Sequence, residues 1–219
     1  MSHELKTPLT DLREGAELLT DEVVGPLTAE QREVVAILRE NSLRLQQLIE
    51  GLLDFNQALM RNLTLHKAPV QLADLVNEVI EAQKLAWRAR SLRVEARLEP
   101  LELTGDRDKL ATVVDNLLSN AIKFSPPGRT VWIELKAVDG IAQLEVRDAG
   151  AGFHPDDQGR VFEAFYQGRT VADGHVKGSG LGLAIALEYA KAHDGALRIG
   201  PGPGGRVRLQ LPMQPRESL

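Results

Sequence analysis

The fold is decided first by residues 2–10, which read Ser2-His3-Glu4-Leu5-Lys6-Thr7-Pro8-Leu9-Thr10. From Leu5 to Val23, apolar residues recur at spacings of four and three, the period of one buried stripe on a helix. Gly25-Pro26 then breaks the pattern. We therefore predict a helix over this first stretch, with His3 off the apolar stripe and facing solvent.

A second helical pattern follows the break. Thr28 is a candidate N-cap, and Gln31 occupies the capping-box position three residues later. Apolar residues then repeat in heptads from Val34 to Phe55, with one polar layer at Asn41. Two such helices, ending near residue 62, predict an antiparallel hairpin. Because a hairpin alone buries one narrow stripe per helix, we expect a second copy to complete a dimeric four-helix bundle; a monomeric hairpin packed on its own C-terminal domain is the alternative.

The first helix also carries groups suited to nucleophilic chemistry. The neutral imidazole of His3 is a nucleophile near neutral pH. Glu4 is next in sequence and can accept its proton, and Thr7, four residues on, shares a helix face with His3. Pro8 lacks an N–H and is expected to bend or loosen the helix. A solvated histidine on a helix surface has the same pattern, so these residues alone leave the function open.

After about residue 65 the period of the sequence changes. Alternating apolar residues predict strands, and stretches with a 3.6-residue period predict helices. Strands mixed with helices favour an α/β sandwich with a mixed sheet, so we divide the chain into residues 1–64 and 65–219. Helices are predicted over about 72–90, 106–124 and 179–193, and strands over 92–96, 130–137, 141–147, 197–199 and 207–211.

The predicted helix over 106–124 has a polar face that suits phosphate and a cation. Asn116, Asn120 and Lys123 stand at i, i+4 and i+7 and therefore share one face. Carboxamide oxygens are hard ligands for a divalent cation that already holds phosphate oxygens, and the ammonium group can neutralise phosphate charge. A polar face on an ordinary amphipathic helix has the same spacing, so both interpretations stay open at this point.

Two glycine-rich motifs extend this candidate site. Asp148-Ala149-Gly150-Ala151-Gly152 follows a predicted strand, and its carboxylate can accept a hydrogen bond from an exocyclic amine, which favours adenine over guanine. Gly178-Ser179-Gly180-Leu181-Gly182-Leu183 opens a predicted helix, where backbone amides can cradle phosphate. The second motif is neither a dinucleotide-binding fingerprint nor a Walker loop. The Asp-x-Gly-x-Gly motif is weak by itself.

The sequence between these two motifs predicts a mobile lid. Residues 160–165 are followed by a polar, glycine-rich stretch to Lys177, which is too long and irregular for a compact turn. We expect this stretch to close over bound nucleotide. Phe162 and Phe165 are expected to anchor it to the core.

Composition argues against several classes of protein. The 219 residues are 43% apolar and 26% charged, as in a globular protein, and carry a net charge of −5. No basic cluster is dense enough to grip nucleic acid, which is not an expected partner. The chain has no cysteine, which excludes disulfides, thiolate metal sites and a cysteine nucleophile. No apolar run reaches about 18 residues, so we expect a soluble fragment without membrane contact.

Taken in order, the motifs resemble those of the sensor histidine kinases of two-component systems. Five motifs of this chain resemble motifs of that family: the H-box at 3–9, the asparagine box at 115–124, the Asp-x-Gly-x-Gly box at 148–152, the phenylalanine box at 160–165 and the Gly-x-Gly-Leu-Gly-Leu box at 178–183. The resemblance covers nearly the whole chain. It implies an α+β protein, with a dimerisation and phosphotransfer hairpin followed by an ATP-binding domain of the Bergerat (GHKL) fold.

The resemblance also implies roles for single residues. His3 matches the phosphoacceptor, Glu4 its acid–base partner, and Thr7 a residue for phosphatase activity toward a regulator. Asn120 matches the Mg²⁺ ligand, with Asn116 as its companion and second candidate ligand. Positions for binding ATP are matched by Asn116, Asn120, Lys123, Phe124, Asp148, Gly150, Gly152, Arg160, Gly178, Gly180, Leu181 and Gly182. Where ATP-hydrolysing Bergerat proteins have a Glu that activates water, this chain has Asn116, which implies phosphoryl transfer rather than hydrolysis.

The implied function is autophosphorylation of His3 from ATP with Mg²⁺, then transfer to an aspartate on the receiver domain of a response regulator. Phosphatase activity toward that regulator is a further expectation. The implied setting is the cytoplasmic portion of an inner-membrane sensor that works as a homodimer, although the short stretch before His3 puts the strength of the dimer in question. Two other functions remain open: a catalytically idle scaffold that binds ATP and a regulator, and a GHKL ATPase or serine kinase.

Overall fold

The computed structural model describes residues 2–59, 64–169 and 179–213. Two compact units are present, Met1–Gln57 and Ala58–Leu219. Helices form the first unit and a mixed sheet with helices forms the second, which confirms the predicted fold class. None of the described helices is long and apolar enough to cross a membrane.

The first unit is a helical hairpin made of α1 (Ser2–Thr20) and α2 (Ala29–Leu59). Pro8 lies inside α1 without ending it. The capping box is confirmed, because the Thr28 N–H donates to Gln31 Oε1 at 2.9 Å and the Gln31 N–H donates to Thr28 Oγ1 at 3.2 Å. These two bonds satisfy N–H groups that have no partner inside the helix, and so fix where α2 begins.

The hairpin leaves much of its apolar surface uncovered within one chain. Ala16 and Val35 are buried, but three residues of the heptad series, Val34, Leu38 and Leu45, are 56%, 51% and 44% exposed. The pairing of α1 with α2 therefore buries the stripe that contains Val35. The neighbouring heptad stripe remains open to solvent.

The second unit consists of seven described strands and four described helices. The strands are β1 (Ala68–Gln71), β2 (Arg93–Leu98), β3 (Glu102–Gly105), β4 (Thr130–Val138), β5 (Ile141–Arg147), β6 (Ala196–Ile199) and β7 (Arg206–Pro212). The helices are α3 (Leu72–Ala82), α4 (Lys84–Ala89), α5 (Arg107–Phe124) and α6 (Gly182–Ala192). The single helix predicted over 72–90 is thus two helices.

The main sheet has the strand order β2-β4-β5-β7-β6. The β2–β4 pair is parallel and the other pairs are antiparallel. A separate antiparallel pair joins β1 to β3. The sequence did not predict this pair, because four residues are too few to show a strand period.

The core of the second unit lies between one face of the main sheet and the helices. Every second residue is buried along the three central strands: Val131, Ile133 and Leu135, then Ala142, Leu144 and Val146, then Val207, Leu209 and Leu211. The helices α3, α5 and α6 bury apolar residues at helical spacing, including Leu75, Leu110, Leu117 and Ala186. This burial supplies most of the stabilisation of the unit.

His193 fixes the end of α6 to the start of α5. Its buried ring has Nδ1 2.7 Å from the Tyr189 carbonyl oxygen, and its Nε2 accepts the Asp106 backbone N–H at 2.9 Å. Both bonds together require a neutral ring with its proton on Nδ1. Burial lowers the pKa of His193, although the Tyr189 carbonyl and the Asp106 charge act to raise it. Asp106 in turn caps α5 by accepting the Lys109 N–H and also accepts the His66 N–H.

We expect the second unit to lose stability below the ordinary histidine pKa of about 6.5. There the unfolded chain binds a proton on His193 that the buried ring does not bind, so the free energy of unfolding falls as the pH is lowered. His193→Leu removes this part of the pH dependence. It also leaves the Asp106 N–H without an acceptor, which lowers the free energy of unfolding near neutral pH by about 1–3 kcal/mol.

Urea unfolding of the full chain between about pH 5.5 and 7.5, followed by the fluorescence of Trp87 and Trp132, measures both effects. His66→Leu is the matched control, since the His66 ring is exposed and its recorded bond to Asp106 comes from the backbone. If the free energy of unfolding of His193→Leu depends on pH as steeply as that of the wild type, the role assigned to the buried ring is contradicted.

Candidate active site

The helix α5 places Asn116, Asn120 and Lys123 on one face, which we call the asparagine face; all three are partly buried. Asn116 Nδ2 donates to the Thr112 carbonyl at 2.9 Å. This bond fixes the carboxamide, so that its oxygen lies toward the start of α6. Within the described residues, the Asn120 side chain makes no hydrogen bond. Two amide groups thus remain able to bind a ligand.

Gly182 lies directly against the asparagine face. A Cβ atom on Gly182 would fall 2.6 Å from Asn116 Oδ1, too close for any other residue without a shift. The helix α6 begins at Gly182, three residues later than predicted, because Gly180 has a φ of +74°, outside the helical region. Leu181 has a fully buried side chain, which places that side chain in the core, and its N–H donates to Ser179 Oγ. The structure therefore brings the last motif and the asparagine face together.

Lys123 is a half-buried cation without a carboxylate partner among the residues that the structure describes. Its Nζ lies 5.3 Å from the centroid of the Phe124 ring. Burial lowers the pKa of Lys123, because a desolvated ammonium group loses hydration that no nearby anion replaces. A phosphate group bound here would supply the missing negative charge.

Asp148 follows β5 and is 7% exposed. Its Oδ1 accepts the N–H of Gly150 at 2.7 Å and the N–H of Gly205 at 3.0 Å. No hydrogen bond reaches Oδ2 from the described part of the chain. Burial raises the pKa of Asp148, and the two backbone hydrogen bonds act against that rise. One carboxylate oxygen is thus fixed by the protein, and the other is left for a ligand.

Gly150 and Gly152 let the loop that follows this carboxylate pack closely against neighbouring backbone. A Cβ atom on Gly150 would lie 3.2 Å from the Phe124 carbonyl carbon, and one on Gly152 would lie 3.1 Å from the Gly204 carbonyl carbon. The Asp148 loop therefore packs backbone to backbone on the end of α5 and on the turn between β6 and β7. This packing places the Asp-x-Gly-x-Gly motif next to Phe124, and hence at the end of the asparagine face.

The segment after Asp148 contains a short 3-10 turn at Pro155–Asp157. The Phe165 N–H donates to the Gly180 carbonyl at 2.9 Å, which closes the base of the stretch from 165 to 180. The expectation that Phe165 anchors the stretch to the core through its ring is wrong, because Phe165 is 54% exposed and the contact that holds it is the backbone bond. Phe162 is partly buried. Residues 170–178 lie outside the described residues, and with them Gly178 and the expected lid.

Arg160 belongs to a polar cluster at this base. Its guanidinium lies 4.3 Å from the centroid of the Tyr166 ring, and its Nε donates to Glu163 Oε2 at 3.2 Å. Tyr166 donates its hydroxyl proton to Asp157 Oδ1 at 2.8 Å, and Asp157 is 2% exposed. Arg160 is exposed, and its guanidinium is held in place by these contacts with Tyr166 and Glu163. Its contact with phosphate stays a prediction.

The donor chemistry of the asparagine face fits a magnesium ion shared with phosphate. Asn116 Oδ1 lies toward the start of α6 because Nδ2 is bonded to the Thr112 carbonyl, and Asn120 has no competing partner within the described ranges. No group of three or more His, Cys, Asp or Glu residues in those ranges is arranged to hold a metal. A cation here would depend on carboxamide oxygens and on the oxygens of a bound phosphate, as Mg²⁺ often does.

His3, Glu4 and Thr7 all lie in α1, which places Thr7 one turn after His3. Their side chains lie outside the described part of the structure. The roles of these three residues therefore stay predictions.

Gly204 and Gly205 are site residues that the sequence analysis missed. The Pro/Gly run over 200–205 reads as a turn between two strands, and nothing in it indicates contact with Asp148. The contact exists because β5 pairs with β7, so that Gly205 comes opposite Asp148 one step beyond the pair of Arg147 with Arg206. The strand register would have found it once the sheet order was known.

Family models match both units of the chain. Residues 105–215 match "Histidine kinase-, DNA gyrase B-, and HSP90-like ATPase", and residues 1–59 match "His Kinase A (phospho-acceptor) domain". The chain is 38% identical over 214 residues to sensor histidine kinase GlrK of Escherichia coli (strain K12), covering 97% of this chain and 45% of that protein. It is 35% identical over 227 residues to the histidine-protein kinase/phosphatase MprB of Mycolicibacterium smegmatis, covering 97% and 44%. The chain thus spans less than half the length of these two relatives.

Solved structures of histidine kinases have a similar fold. Full-length ShkA in complex with AMPPNP matches with a TM-score of 0.78 and 31% identity, over 96% of this chain and 44% of that one. The mycobacterial sensor histidine kinase MprB matches with a TM-score of 0.60 and 33% identity, over 68% of this chain and 99% of that one. With a phospho-acceptor module matched in front and a GHKL ATP-binding module matched behind it, this chain belongs to the sensor histidine kinases of two-component systems.

Proposed function

We propose that this chain is an ATP-dependent kinase that phosphorylates its own His3 and passes the phosphoryl group to an aspartate of a response regulator. The observation that carries this proposal is the meeting of the asparagine face, the Asp148 loop and the start of α6. In this assignment residues 1–64 dimerise and carry the phosphoryl group, and residues 65–219 bind ATP. The expected location is the cytoplasmic side of a membrane-bound sensor.

Adenine recognition is assigned to Asp148. Its free Oδ2 accepts a hydrogen bond from the exocyclic amine of adenine, whereas guanine presents a carbonyl oxygen at the same place and is repelled. Lys123 and the backbone amides at the start of α6 then serve the phosphates. The half-buried position of Lys123 without a carboxylate partner in the described ranges supports this assignment.

A magnesium ion is assigned to the asparagine face, with Asn120 as ligand and Asn116 as its companion. Such an ion neutralises charge on the transferring phosphoryl group. Asn116 contributes in a second way, because a carboxamide cannot take a proton from water. We therefore expect hydrolysis to be slow, so that ATP survives until the phosphoacceptor reaches it.

The proposed transfer forms one N–P bond and breaks one P–O bond. An imidazole nitrogen of His3 attacks the γ-phosphorus, and ADP leaves with the electron pair of the broken bond. The proton on the other ring nitrogen passes to Glu4, which leaves a neutral phosphoimidazole. Thr7, one turn further along α1, is assigned to regulator dephosphorylation. The test for that activity is whether the unphosphorylated chain speeds loss of phosphate from a phosphorylated receiver domain.

A homodimer through the hairpin is the proposed assembly. The heptad stripe of α2 is apolar and exposed in one chain, which is costly for a protein in water. A second copy would cover this stripe in a four-helix bundle. The exposed residues Leu12, Leu18, Val34, Ile37, Leu38, Leu45 and Leu52 supply the apolar surface.

Leu38→Lys is expected to weaken this dimer. Each copy loses a leucine from the buried seam, so we expect a loss of at least about 2 kcal/mol, or about 30-fold in the dimer Kd. Sedimentation equilibrium over a range of concentrations measures the change. Glu33→Gln makes the same change in charge without removing apolar area and should leave the Kd unchanged. A wild-type chain that stays monomeric at every concentration would overturn the assembly.

Labelling with ATP tests the proposed function as a whole. The full chain is incubated with γ-labelled ATP and Mg²⁺, and the labelled protein is then treated with acid or base. Label that is lost in acid and kept in base supports a phosphohistidine. Bound ATP without label would identify a scaffold, acid-stable label a serine kinase, and free phosphate an ATPase; each of these results would overturn the proposal.

A further inference from the structure

Gly205 makes two bonds with Asp148 that continue the β5–β7 ladder by one step. The Asp148 N–H donates to the Gly205 carbonyl at 2.9 Å, as in an ordinary antiparallel pair. The Gly205 N–H, however, donates to the side-chain oxygen Oδ1 of Asp148 at 3.0 Å. The turn between β6 and β7 therefore holds both the backbone and the carboxylate of Asp148.

Space around the carboxylate is as restricted as its hydrogen bonding. A Cβ atom on Gly205 would lie 2.9 Å from Asp148 Cγ and closer still to Oδ2. The preceding residue, Gly204, has a φ of +76°, and a Cβ atom there would lie 3.2 Å from the Asp148 carbonyl carbon. Any side chain at position 205 would occupy the place where Oδ2 now lies. The carboxylate would then have to rotate or the turn would have to move.

We propose that Gly205 is a positioning residue for nucleobase selection: its N–H fixes Asp148 Oδ1, and its missing side chain leaves Oδ2 free for the exocyclic amine of adenine. This inference rests on the proposed adenine contact of Asp148. It adds that the selectivity of the site is set jointly by β5 and by a turn 57 residues further along the chain. The backbone N–H of Gly150 donates to the same Oδ1 and adds a second hold on the carboxylate.

The test compares two nucleotides on the full chain with Mg²⁺: ATP, and purine riboside triphosphate, which lacks the 6-amino group. Gly205→Ala is expected to lower the affinity for ATP by about tenfold or more, since a hydrogen bond to a charged group is lost. The affinity for purine riboside triphosphate should change by less than about twofold. Gly159→Ala is the control, because a Cβ atom there meets nothing within 4 Å. It should match the wild type for both nucleotides.

A double variant keeps the proposal testable if Gly205→Ala folds poorly. In an Asp148→Ala background the carboxylate that obstructs the new Cβ is gone, so adding Gly205→Ala should restore folding and cause no further loss of ATP affinity. A double variant that still fails to fold would overturn the proposal. The proposal would also be overturned if the wild type prefers ATP but Gly205→Ala lowers the affinity for both nucleotides equally, or changes neither affinity. A wild type that binds both nucleotides equally would instead overturn the adenine contact itself, and the positioning role with it.

Discussion

His3→Gln is expected to abolish incorporation of the γ-phosphoryl group of ATP while leaving the affinity for ATP unchanged. Glutamine is a good helix former, so α1 should be retained, but its side chain has no nucleophilic nitrogen. When the group that attacks is removed, the loss of rate is about 10³-fold or more. The affinity should not change, because the residues assigned to ATP binding all lie in the second unit, whereas His3 lies in the first.

Two measurements on the same samples test this result. Label retained on the protein after base treatment gives the extent of phosphorylation, and displacement of a fluorescent nucleotide gives the affinity for ATP. His66→Gln serves as the control, since the His66 ring is exposed in the second unit and should keep full labelling. Acid-labile label on the His3→Gln variant would show that another residue is the phosphoacceptor.

Asp148→Asn is expected to weaken ATP binding by about 10- to 100-fold. The asparagine oxygen can keep the two bonds from Gly150 and Gly205, so the loop should remain in place. The amide nitrogen then replaces Oδ2, and a donor faces the amine of adenine. Because guanine has a carbonyl oxygen at that position, the preference for ATP over GTP should narrow as well.

Titration with ATP and with GTP in the presence of Mg²⁺ measures both changes. Asp139→Asn is the matched control, because Asp139 lies in the exposed turn between β4 and β5. The pH dependence of ATP binding gives a further check. Burial raises the pKa of Asp148, so this carboxylate is protonated at a higher pH than an ordinary carboxyl group. ATP binding to the wild type should therefore weaken at that higher pH when the solution is acidified. The Asp148→Asn variant should lack this dependence. Equal ATP affinity in wild type and variant would remove Asp148 from the site.

Much of the fold could be read from local patterns. The capping box at Thr28 formed as predicted because its two bonds join residues three apart. The strands β4 and β5 and the helix α5 lie within a residue of their predicted bounds, since each is long enough to show its period. The asparagine face also follows from spacing alone, because helix geometry fixes which residues share a face.

Contacts between distant residues could not be read in this way. The bond from Gly205 to Asp148 depends on which strands are neighbours, and no local signal gives that order. In sequence, His193 is only the last residue of a predicted helix, whereas the acceptor role of its buried ring depends on the start of α5 lying beside it. The start of α6 was predicted three residues too early for another reason. Gly180 takes a left-handed conformation, which glycine permits but which the presence of a glycine in the sequence does not predict.

The position of β7 between β5 and β6 has a consequence for how the protein is made. On the ribosome, the partner that fixes the Asp148 carboxylate emerges 57 residues after it, several seconds later at about 5–20 residues per second. Until then the edge of β5 is unpaired and open to aggregation. A nascent chain that ends before β7 therefore lacks the Gly205 N–H that fixes Asp148. If Asp148 contacts adenine as proposed, ATP could not stabilise that incomplete chain by binding there.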